Sequence, residues 1–372
     1  MSPREDSERT LLELRDRGGD GMTVRPLFMD LGTPSHRPPA STGTDAVGYA
    51  LPGGVPDLRA AFERRVRLRC GVDSPDLTAT VTAGSSLAFT SIVAALTAPG
   101  DRILVPDPGV AAYRSTVEAL GRVADGYRLS EADSTALSAR MRGARLVVVN
   151  SPSDPTGRVL SPQALSRVAA AARRHDVLIV SDEIHADLVE DGYASVAAEA
   201  PERTLVLDSV SKSFALAGTR VGCAAGPADL VAPVTRMHWT LGMSVAVPSQ
   251  RLALAALEAG PGYLADVREE LAHKKALCTR ILRSHGVDVE VPEAGMFLWL
   301  DVSGLGGSGR AVSELLDRTA RVAVSPGELF GPAGAGHIRI NCAGDAIDVA
   351  EGADRIGRLL AALARGAVTG SG

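Results

Sequence analysis

Apolar residues fall into short runs that alternate with longer amphipathic stretches. Runs of strand length occupy residues 80–83, 102–105, 145–150, 177–180 and 204–207. Between them, apolar residues recur at helical spacing over 57–70, 87–96 and 161–175. This alternation is typical of βαβ units, in which a mostly parallel sheet lies between two layers of helices. We therefore predict an α/β fold, with a large domain built on such a sheet.

The pattern changes near residue 286. Short strand-like segments at 287–291, 296–302 and 337–341 alternate there with helical segments. Such a mixture predicts a smaller α+β domain over residues 286–372. The large domain is predicted over 49–285, and residues 1–48 are predicted to form an arm that packs with the small domain.

The composition excludes several classes of protein. Hydrophobic residues make up 45% and charged residues 22% of the 372 residues, so the chain is not wholly disordered. The net charge of −5 gives no general attraction to nucleic acid or to an anionic membrane. No apolar run reaches the roughly 20 residues that span a bilayer, and the N-terminus lacks the apolar core of a secretory signal. We expect a cytoplasmic protein without a nucleic-acid or membrane partner.

The cysteines predict neither a disulfide framework nor a metal site. The four of them are widely scattered, at Cys70, Cys223, Cys278 and Cys342. They form no CxxC motif and no metal-ligand spacing. Reduced thiols are the expected state, and no metal ligand is predicted.

Lysine is rare in this chain, which draws attention to Lys212. Only three of the 39 Lys and Arg residues are lysines. Lys212 lies among serines and precedes Arg220 by eight residues. The segment is either a surface turn or a Schiff-base lysine beside a phosphate-binding arginine. The scarcity of lysine favours the second interpretation.

Three further polar clusters follow predicted strands, where ligands bind in parallel sheets. Ser85 and Ser86 follow a glycine at a helix start, which suits either an anion site or a helix cap. Asp154 lies in a turn rich in proline and glycine, which holds side chains over the sheet or is simply structural. Asp182 ends an apolar strand, where a carboxylate needs a cationic partner such as a protonated ring nitrogen.

A fifth cluster lies in the predicted small domain. Arg339 is flanked by Ile338 and Ile340 in a short apolar strand. A buried arginine needs an anionic partner, which is either a substrate carboxylate or an internal ion pair.

Together these motifs resemble the class I/II aminotransferase family of the fold-type I pyridoxal-phosphate enzymes, which includes aspartate aminotransferase. The SVSK segment that ends at Lys212 and the GTRVG segment around Arg220 are the most specific part of the resemblance. The SDEIH segment around His185 is similar to that of related carbon–sulfur lyases. The resemblance covers nearly the whole chain. It implies pyridoxal 5′-phosphate as cofactor.

The resemblance also implies residue roles. Lys212 would form the imine with the cofactor and move a proton to and from the substrate, and Asp182 would pair with the ring nitrogen. Tyr49 would reach the neighbouring subunit of a homodimer with shared active sites. Arg339 would bind the carboxylate of an amino-acid substrate, with Gly32 beside the substrate. The remaining cofactor-binding residues implied are Ser85, Ser86, Tyr113, Asp154, His185, Ser209 and Arg220.

Three positions depart from the family pattern. Asp154 stands where the family has asparagine, and His185 stands where it has tyrosine. Val110 replaces an aromatic residue that stacks on the cofactor ring, a role that Tyr113 is a candidate to take. We hypothesise that Asp154 and His185 form a coupled pair that keeps the cofactor imine protonated over a wider pH range.

The sequence therefore predicts transamination of an α-amino acid, in specialised biosynthetic metabolism. The alternative is elimination or replacement at Cβ or Cγ on the same scaffold, because one scaffold supports several reactions. A non-catalytic ligand sensor is a further alternative, which the presence of Lys212 disfavours. The substrate does not follow from the sequence.

Overall fold

The computed structural model describes residues 27–29, 49–72, 74–130, 135–189, 192–305 and 307–369. The chain divides into two compact units. The larger unit takes the described residues of Thr33–Glu269 and Glu293–Gly295. The smaller unit takes those of Met1–Gly32, Glu270–Pro292 and Met296–Gly372. The two units meet between Glu269 and Glu270, inside the helix Gly260–Ser284, whereas the sequence placed the limit at residue 285. The domain limits drawn from the sequence stay a prediction.

Seven of the strands in the described residues overlap a predicted run, and the other five have no predicted counterpart. In chain order they are β1 Leu27–Phe28, β2 Leu77–Thr82, β3 Arg102–Pro106, β4 Val123–Tyr127, β5 Leu146–Asn150, β6 Leu178–Asp182, β7 Thr204–Ser209, β8 Gly222–Pro227, β9 Phe297–Asp301, β10 Val322–Ala323, β11 Ser325–Pro326 and β12 His337–Asn341. The strand expected at 287–291 is not formed, because this stretch runs as irregular backbone with Val289 buried.

Helices separate most of the strands, and those at Pro56–Cys70, Gly84–Leu96 and Pro162–His175 overlap the stretches with helical apolar periodicity. In chain order they are α1 Pro56–Cys70, α2 Gly84–Leu96, α3 Ala111–Ala119, α4 Thr135–Met141, α5 Pro162–His175, α6 Val196–Glu199, α7 Ala228–Gly242, α8 Val247–Leu257, α9 Gly260–Ser284, α10 Gly309–Leu315 and α11 Ala346–Thr369. The start of α5 shows the local cause: Ser161 Oγ accepts from Ala164 N at 3.2 Å, and Pro162 occupies the first turn.

The described strands of the larger unit form a seven-stranded sheet in the order β2-β8-β7-β6-β5-β3-β4. β8 runs antiparallel to both of its neighbours, and the other pairs are parallel. Asn150 is paired with Asp182, and Asp182 with Leu207. The carboxyl ends of β5, β6 and β7 therefore meet at one edge of the sheet.

Helices cover both faces of this sheet. On β5, Val147 and Val149 pack in one apolar cluster with residues of α4 and α5, whereas Leu146 and Val148 pack in another with residues of α2 and α3. Alternate residues of a strand point to opposite faces, so a strand that is buried throughout needs cover on both sides. The predicted α/β architecture is confirmed.

The smaller unit contains an antiparallel sheet in the order β11-β12-β9 and a parallel pair of β1 with β10. Arg339 lies at the centre of this sheet, opposite Trp299 on one side and Ser325 on the other. Apolar side chains of α9 and α11 pack with those of the strands in one core. The predicted α+β character of the smaller part is thereby confirmed.

Two properties of the described ranges bear on partners. No helix within them is both long enough and apolar enough to cross a membrane. Histidine, cysteine, aspartate and glutamate side chains form no group of three or more there that could hold a metal ion.

Candidate active site at the carboxyl edge of the large sheet

A cavity of about 220 Å³ opens at the edge where β5, β6 and β7 end. Every residue that lines it belongs to the larger unit. Seven of the residues selected from the sequence contribute to its wall, and they are Ser85, Ser86, Tyr113, Asp154, Asp182, Lys212 and Arg220. Residues more than 100 positions apart in the chain are thus brought together by the sheet.

Lys212 lies in the loop that follows β7. Two serines shape this loop: Ser209 Oγ donates to the carbonyl of Val221 at 3.1 Å and shares a hydrogen bond of 2.7 Å with Ser211 Oγ. The backbone N–H of Ser211 donates to Ser209 Oγ at 3.0 Å. These bonds tie the loop to the start of β8 and leave the half-buried Lys212 at the cavity wall.

Asp182 is the last residue of β6 and is only 3% exposed. Tyr113 donates its phenol to Asp182 Oδ2 at 2.5 Å, and the backbone N–H of Ile184 donates to Oδ1 at 3.2 Å. Burial raises the pKa of Asp182 to about 6, and these two donors only partly oppose that rise. The site therefore contains a carboxyl group that a nearby cation would keep ionised.

Asp154 is held in place by Asn150 at the end of β5. The Asp154 N–H donates to Asn150 Oδ1 at 2.8 Å, and Asn150 Nδ2 donates to the carbonyl of Asp182 at 3.2 Å. Asp154 is 7% exposed. Burial is the main cause of the raised pKa of Asp182, and the negative charge of Asp154 raises it further. Two carboxyl groups thus line one cavity, Asp182 at the end of β6 and Asp154 in the turn after β5.

The first turn of α2 supplies donors for an anion. Gly84 begins the helix at φ +78°, and a Cβ there would lie 2.4 Å from Arg220 Nη2. The positive φ favours glycine at this position, and the guanidinium of Arg220 lies directly beside the helix start. The helix N-terminus, the two serines and Arg220 together form a site suited to phosphate.

His238 supports this turn from α7. Its Nε2 accepts from the backbone N–H of Ala83 at 3.1 Å, just before α2 begins. Burial lowers the pKa of His238, which favours the neutral ring that this hydrogen bond requires. The sequence alone gave no role to His238.

Three predicted residues lie away from the cavity wall. Ser209 points its hydroxyl into the loop, and Ser211 lines the cavity in its place. His185 is 2% exposed and lies beyond Asp182, outside the set of residues that line the cavity. Tyr49 is 81% exposed. These three lie outside the lining of this cavity, and their roles at the site stay predictions.

Arg339 lies in the smaller unit. Its guanidinium carbon is 3.9 Å from the ring centre of Phe297 and 4.6 Å from that of Phe330. Its Nη2 donates to Ser325 Oγ at 3.4 Å. The aromatic rings fix the plane of the guanidinium. Gly32, expected beside a substrate, lies outside the described residues.

Sequence inspection missed several residues of the wall. Ser211 lies two residues after Ser209 in an irregular loop. The sequence pattern gives no way to tell which of the two serines faces the cavity. Phe89, Ile184 and Leu207 are apolar residues of ordinary elements, so they gave no signal above core packing. Strand pairing supplies the missing information, because it sets which strand ends are adjacent.

Comparison with known proteins gives the family. Residues 36–356 match the model of the family described as aminotransferase class I and II. The aspartate/prephenate aminotransferase of Thermus thermophilus is 31% identical over 94% of this chain and 93% of its own. The arginine–pyruvate transaminase of Pseudomonas aeruginosa is 33% identical over 84% of each chain. The structure of aspartate aminotransferase from Thermus thermophilus with maleate has a TM-score of 0.83 at 27% identity, covering 96% of this chain and 97% of that one.

The chain therefore belongs to the aminotransferase class I and II family. It is an aminotransferase that depends on pyridoxal phosphate, as the resemblance implied. The lyase alternative is not favoured, because the relatives named above are aminotransferases or transaminases.

Proposed function

We propose that Lys212 is the residue that bonds to the cofactor and moves the proton during transfer of an amino group from an α-amino acid. The observation that supports this is the meeting of Lys212, Asp182 and Arg220 at one cavity. An amine, a carboxyl group and an anion site at its wall match the aldehyde, ring nitrogen and phosphate of pyridoxal phosphate.

The residues present fit this group on structural grounds. The guanidinium of Arg220 lies beside the helix start at Gly84, and with Ser85 and Ser86 it suits the phosphate. Asp182 would hold a proton on the ring nitrogen, since pairing with a cation offsets the cost of burying its charge. When bound, the cofactor withdraws electrons from the substrate Cα.

The proton steps fall to Lys212 in this proposal. Its amine would remove the proton from the substrate Cα and deliver a proton to carbon C4′ of the cofactor. The loop bonds of Ser209 restrict where the amine can stand. Apolar side chains of Phe89, Ile184 and Leu207 line the same cavity and reduce the water within it.

Two roles involve residues beyond this cavity. We propose that Arg339 binds the substrate carboxylate, since its guanidinium plane is fixed by Phe297 and Phe330. We also propose a homodimer in which Tyr49 reaches the neighbouring active site. Tyr49 and Leu51 are 81% and 76% exposed, as residues awaiting a partner chain would be.

We propose a specialised biosynthetic substrate. Two of the departures from the family pattern, Val110 and Asp154, line the cavity itself. An aliphatic side chain and a carboxyl group there change the shape and charge that the cofactor and substrate meet. Relatives at similar identity differ in substrate, one being named for aspartate and prephenate and the other for arginine and pyruvate.

A spectral screen tests the function. The protein loaded with pyridoxal phosphate is mixed with single amino acids, and the change of cofactor absorbance and the keto acid formed are measured. Transamination produces a keto acid from the donor and needs a keto-acid acceptor for turnover, whereas elimination releases ammonia without an acceptor. Lys212→Ala should abolish turnover, and borohydride treatment should no longer attach the cofactor covalently to the protein. Turnover or covalent attachment in Lys212→Ala would refute the proposal.

A further inference from the structure

The segment that contains Lys212 is anchored on both sides by buried carboxylates. Before it, Asp208 Oδ1 accepts the backbone N–H of Ser209 at 2.7 Å. After it, Ser213 Oγ donates to Asp187 Oδ2 at 2.8 Å. Asp208 is only 1% exposed. Lys212 therefore stands between two anchor points, one on β7 and one in the short turn that follows β6.

Arg65 of α1 joins the two anchors. Its Nε donates to Asp208 Oδ2 at 2.9 Å, and its Nη2 donates to Asp187 Oδ2. Its guanidinium carbon also lies 5.1 Å from the ring centre of Phe214, two residues after Lys212. A single side chain thus contacts the segment before the lysine at Asp208 and after it at Phe214, and also binds the Asp187 anchor.

Arg69, one turn further along α1, extends the same arrangement. Its Nη1 donates to Asp208 Oδ2 at 2.9 Å, and its Nη2 lies 3.5 Å from Glu183 Oε2. Glu183 directly follows Asp182. Residues four apart lie on one face of a helix, so this face of α1 holds both the lysine segment and the strand end with Asp182.

The charges of this cluster are suited to a fixed geometry. Burial alone would raise the pKa of Asp208, but Arg69 and Arg65 outweigh it and lower the pKa below its usual value. The carboxylate therefore stays ionised at neutral pH. Ionised partners make shorter and stronger hydrogen bonds than neutral ones.

We propose that Arg65 is a positioning residue: by binding Asp208 and Asp187 at once, it sets where the Lys212 amine stands in the cavity. This inference rests on the proposed function of Lys212. The planar guanidinium can hold two carboxylates in fixed directions, whereas the ammonium of a lysine is a point charge. A merely structural ion pair would affect stability but leave the lysine amine unchanged.

Arg65→Lys and Ser213→Ala test the proposal, because each weakens one link without removing the lysine. Pyridoxal 5′-phosphate is added to the cofactor-free protein, and the rate at which visible absorbance appears is measured. The pH midpoint of that absorbance and the melting temperature are measured as well. We expect capture to slow by about tenfold or more and the midpoint to shift in both variants, since small misplacements of reacting groups are costly.

Arg102→Lys is the matched control. Arg102 also bridges two partners in the larger unit, with Nη1 2.8 Å from Asp125 Oδ2 and 2.9 Å from the carbonyl of Arg140, and it does not line the cavity. This variant should change the melting temperature alone.

The proposal would be overturned if, in both test variants, the rate of cofactor capture stayed within about twofold of wild type and the pH midpoint within about a tenth of a pH unit. This holds whatever the melting temperatures are. Ser213→Ala decides the question by itself if Arg65→Lys does not fold. A wild-type protein that gains no visible absorbance would instead refute the proposed function, and the inference with it.

Discussion

The phenol of Tyr113 donates to Asp182 Oδ2 at 2.5 Å, so a residue of α3 binds the carboxyl group that ends β6. Burial of Asp182 raises its pKa to about 6, and burial also raises the pKa of Tyr113 well above its usual value. The phenol therefore remains a donor across the physiological pH range. Tyr113 thus binds one oxygen of the buried carboxyl group, and the backbone N–H of Ile184 binds the other.

Asp182→Asn should change how stability depends on pH. Between pH 4 and pH 6 the unfolded carboxyl has lost its proton while the folded one keeps it, so the stability of the cofactor-free wild type falls as pH rises. A shift from 3.8 to about 6 corresponds to about 3 kcal/mol. Denaturant unfolding from pH 3.5 to 7.5 measures it, and the variant should lack this fall. Parallel pH profiles for the two proteins would contradict the raised pKa.

Tyr113→Phe should move the same pH profile in the opposite direction. Loss of the phenol removes a donor that lowers the pKa of Asp182, so that pKa should rise above 6. The fall in stability should then extend to higher pH. The same unfolding measurements check this, with Tyr127→Phe as control. Tyr127 is equally buried but donates to the carbonyl of Val148, so its loss should lower stability evenly with pH.

Asp154→Asn should lower the pKa of Asp182. Burial is the main cause of the raised value, and the charge of Asp154 adds to it. The amide would keep the shape of the turn, since the Asp154 N–H already bonds to Asn150. Unfolding profiles check the shift. In the loaded protein, an unchanged pH midpoint of the visible absorbance would rule out the hypothesis that Asp154 and His185 act together on the cofactor.

Gly222→Ala should weaken cofactor binding by about tenfold and cost about 2 kcal/mol of stability. Its Cβ would lie 2.8 Å from Ser85 N and 2.7 Å from the carbonyl of Asp208, so the first turn of α2 must move. Gly226→Ala is the control on the same strand, where the Cβ meets the Thr204 carbonyl at 2.6 Å. Titration with pyridoxal phosphate should show weaker binding in the first variant alone. Equal loss of affinity in both would mean that general strain is the cause.

His238→Gln should remove a loss of stability at acid pH. The pKa of folded His238 lies below 6.5, because burial disfavours the charged ring. As pH falls through 6.5, the unfolded histidine binds a proton and the folded one does not, so the wild type loses stability. Glutamine can accept from Ala83 N without titrating. Melting temperatures between pH 5 and pH 8 check the difference, and a variant that follows the wild-type curve would contradict this role.

Most of the sheet and much of the cavity wall could be predicted from the contrast between apolar runs and the polar residues that follow them. Buried parallel strands are short apolar runs, and the polar residues that follow them stand out, as Asp182 and Lys212 do. The family resemblance then ordered these residues into one site. The segment 287–291 misled, because alternating valines in irregular backbone look like a strand when one of them, Val289, is buried.

The rest depended on contacts between distant elements. Nothing in the local sequence shows that Ser211 lines the cavity while Ser209 bonds within the loop. The same holds for Arg65, one of many arginines, whose two carboxylate partners lie more than 100 residues away. Chemistry can be read from residue types, whereas mutual placement follows only from the pairing of strands and the packing of helices on them.

The pairing of Asn150 with Asp182 and of Asp182 with Leu207 has an evolutionary consequence. These paired residues belong to the buried strands of the sheet, whereas Val110 and Asp154 lie on connections outside the strands. Substitutions on those connections can change the shape and charge of the cavity one side chain at a time, while the paired strands stay the same. Proteins with this fold can therefore differ in substrate specificity although their backbones remain similar.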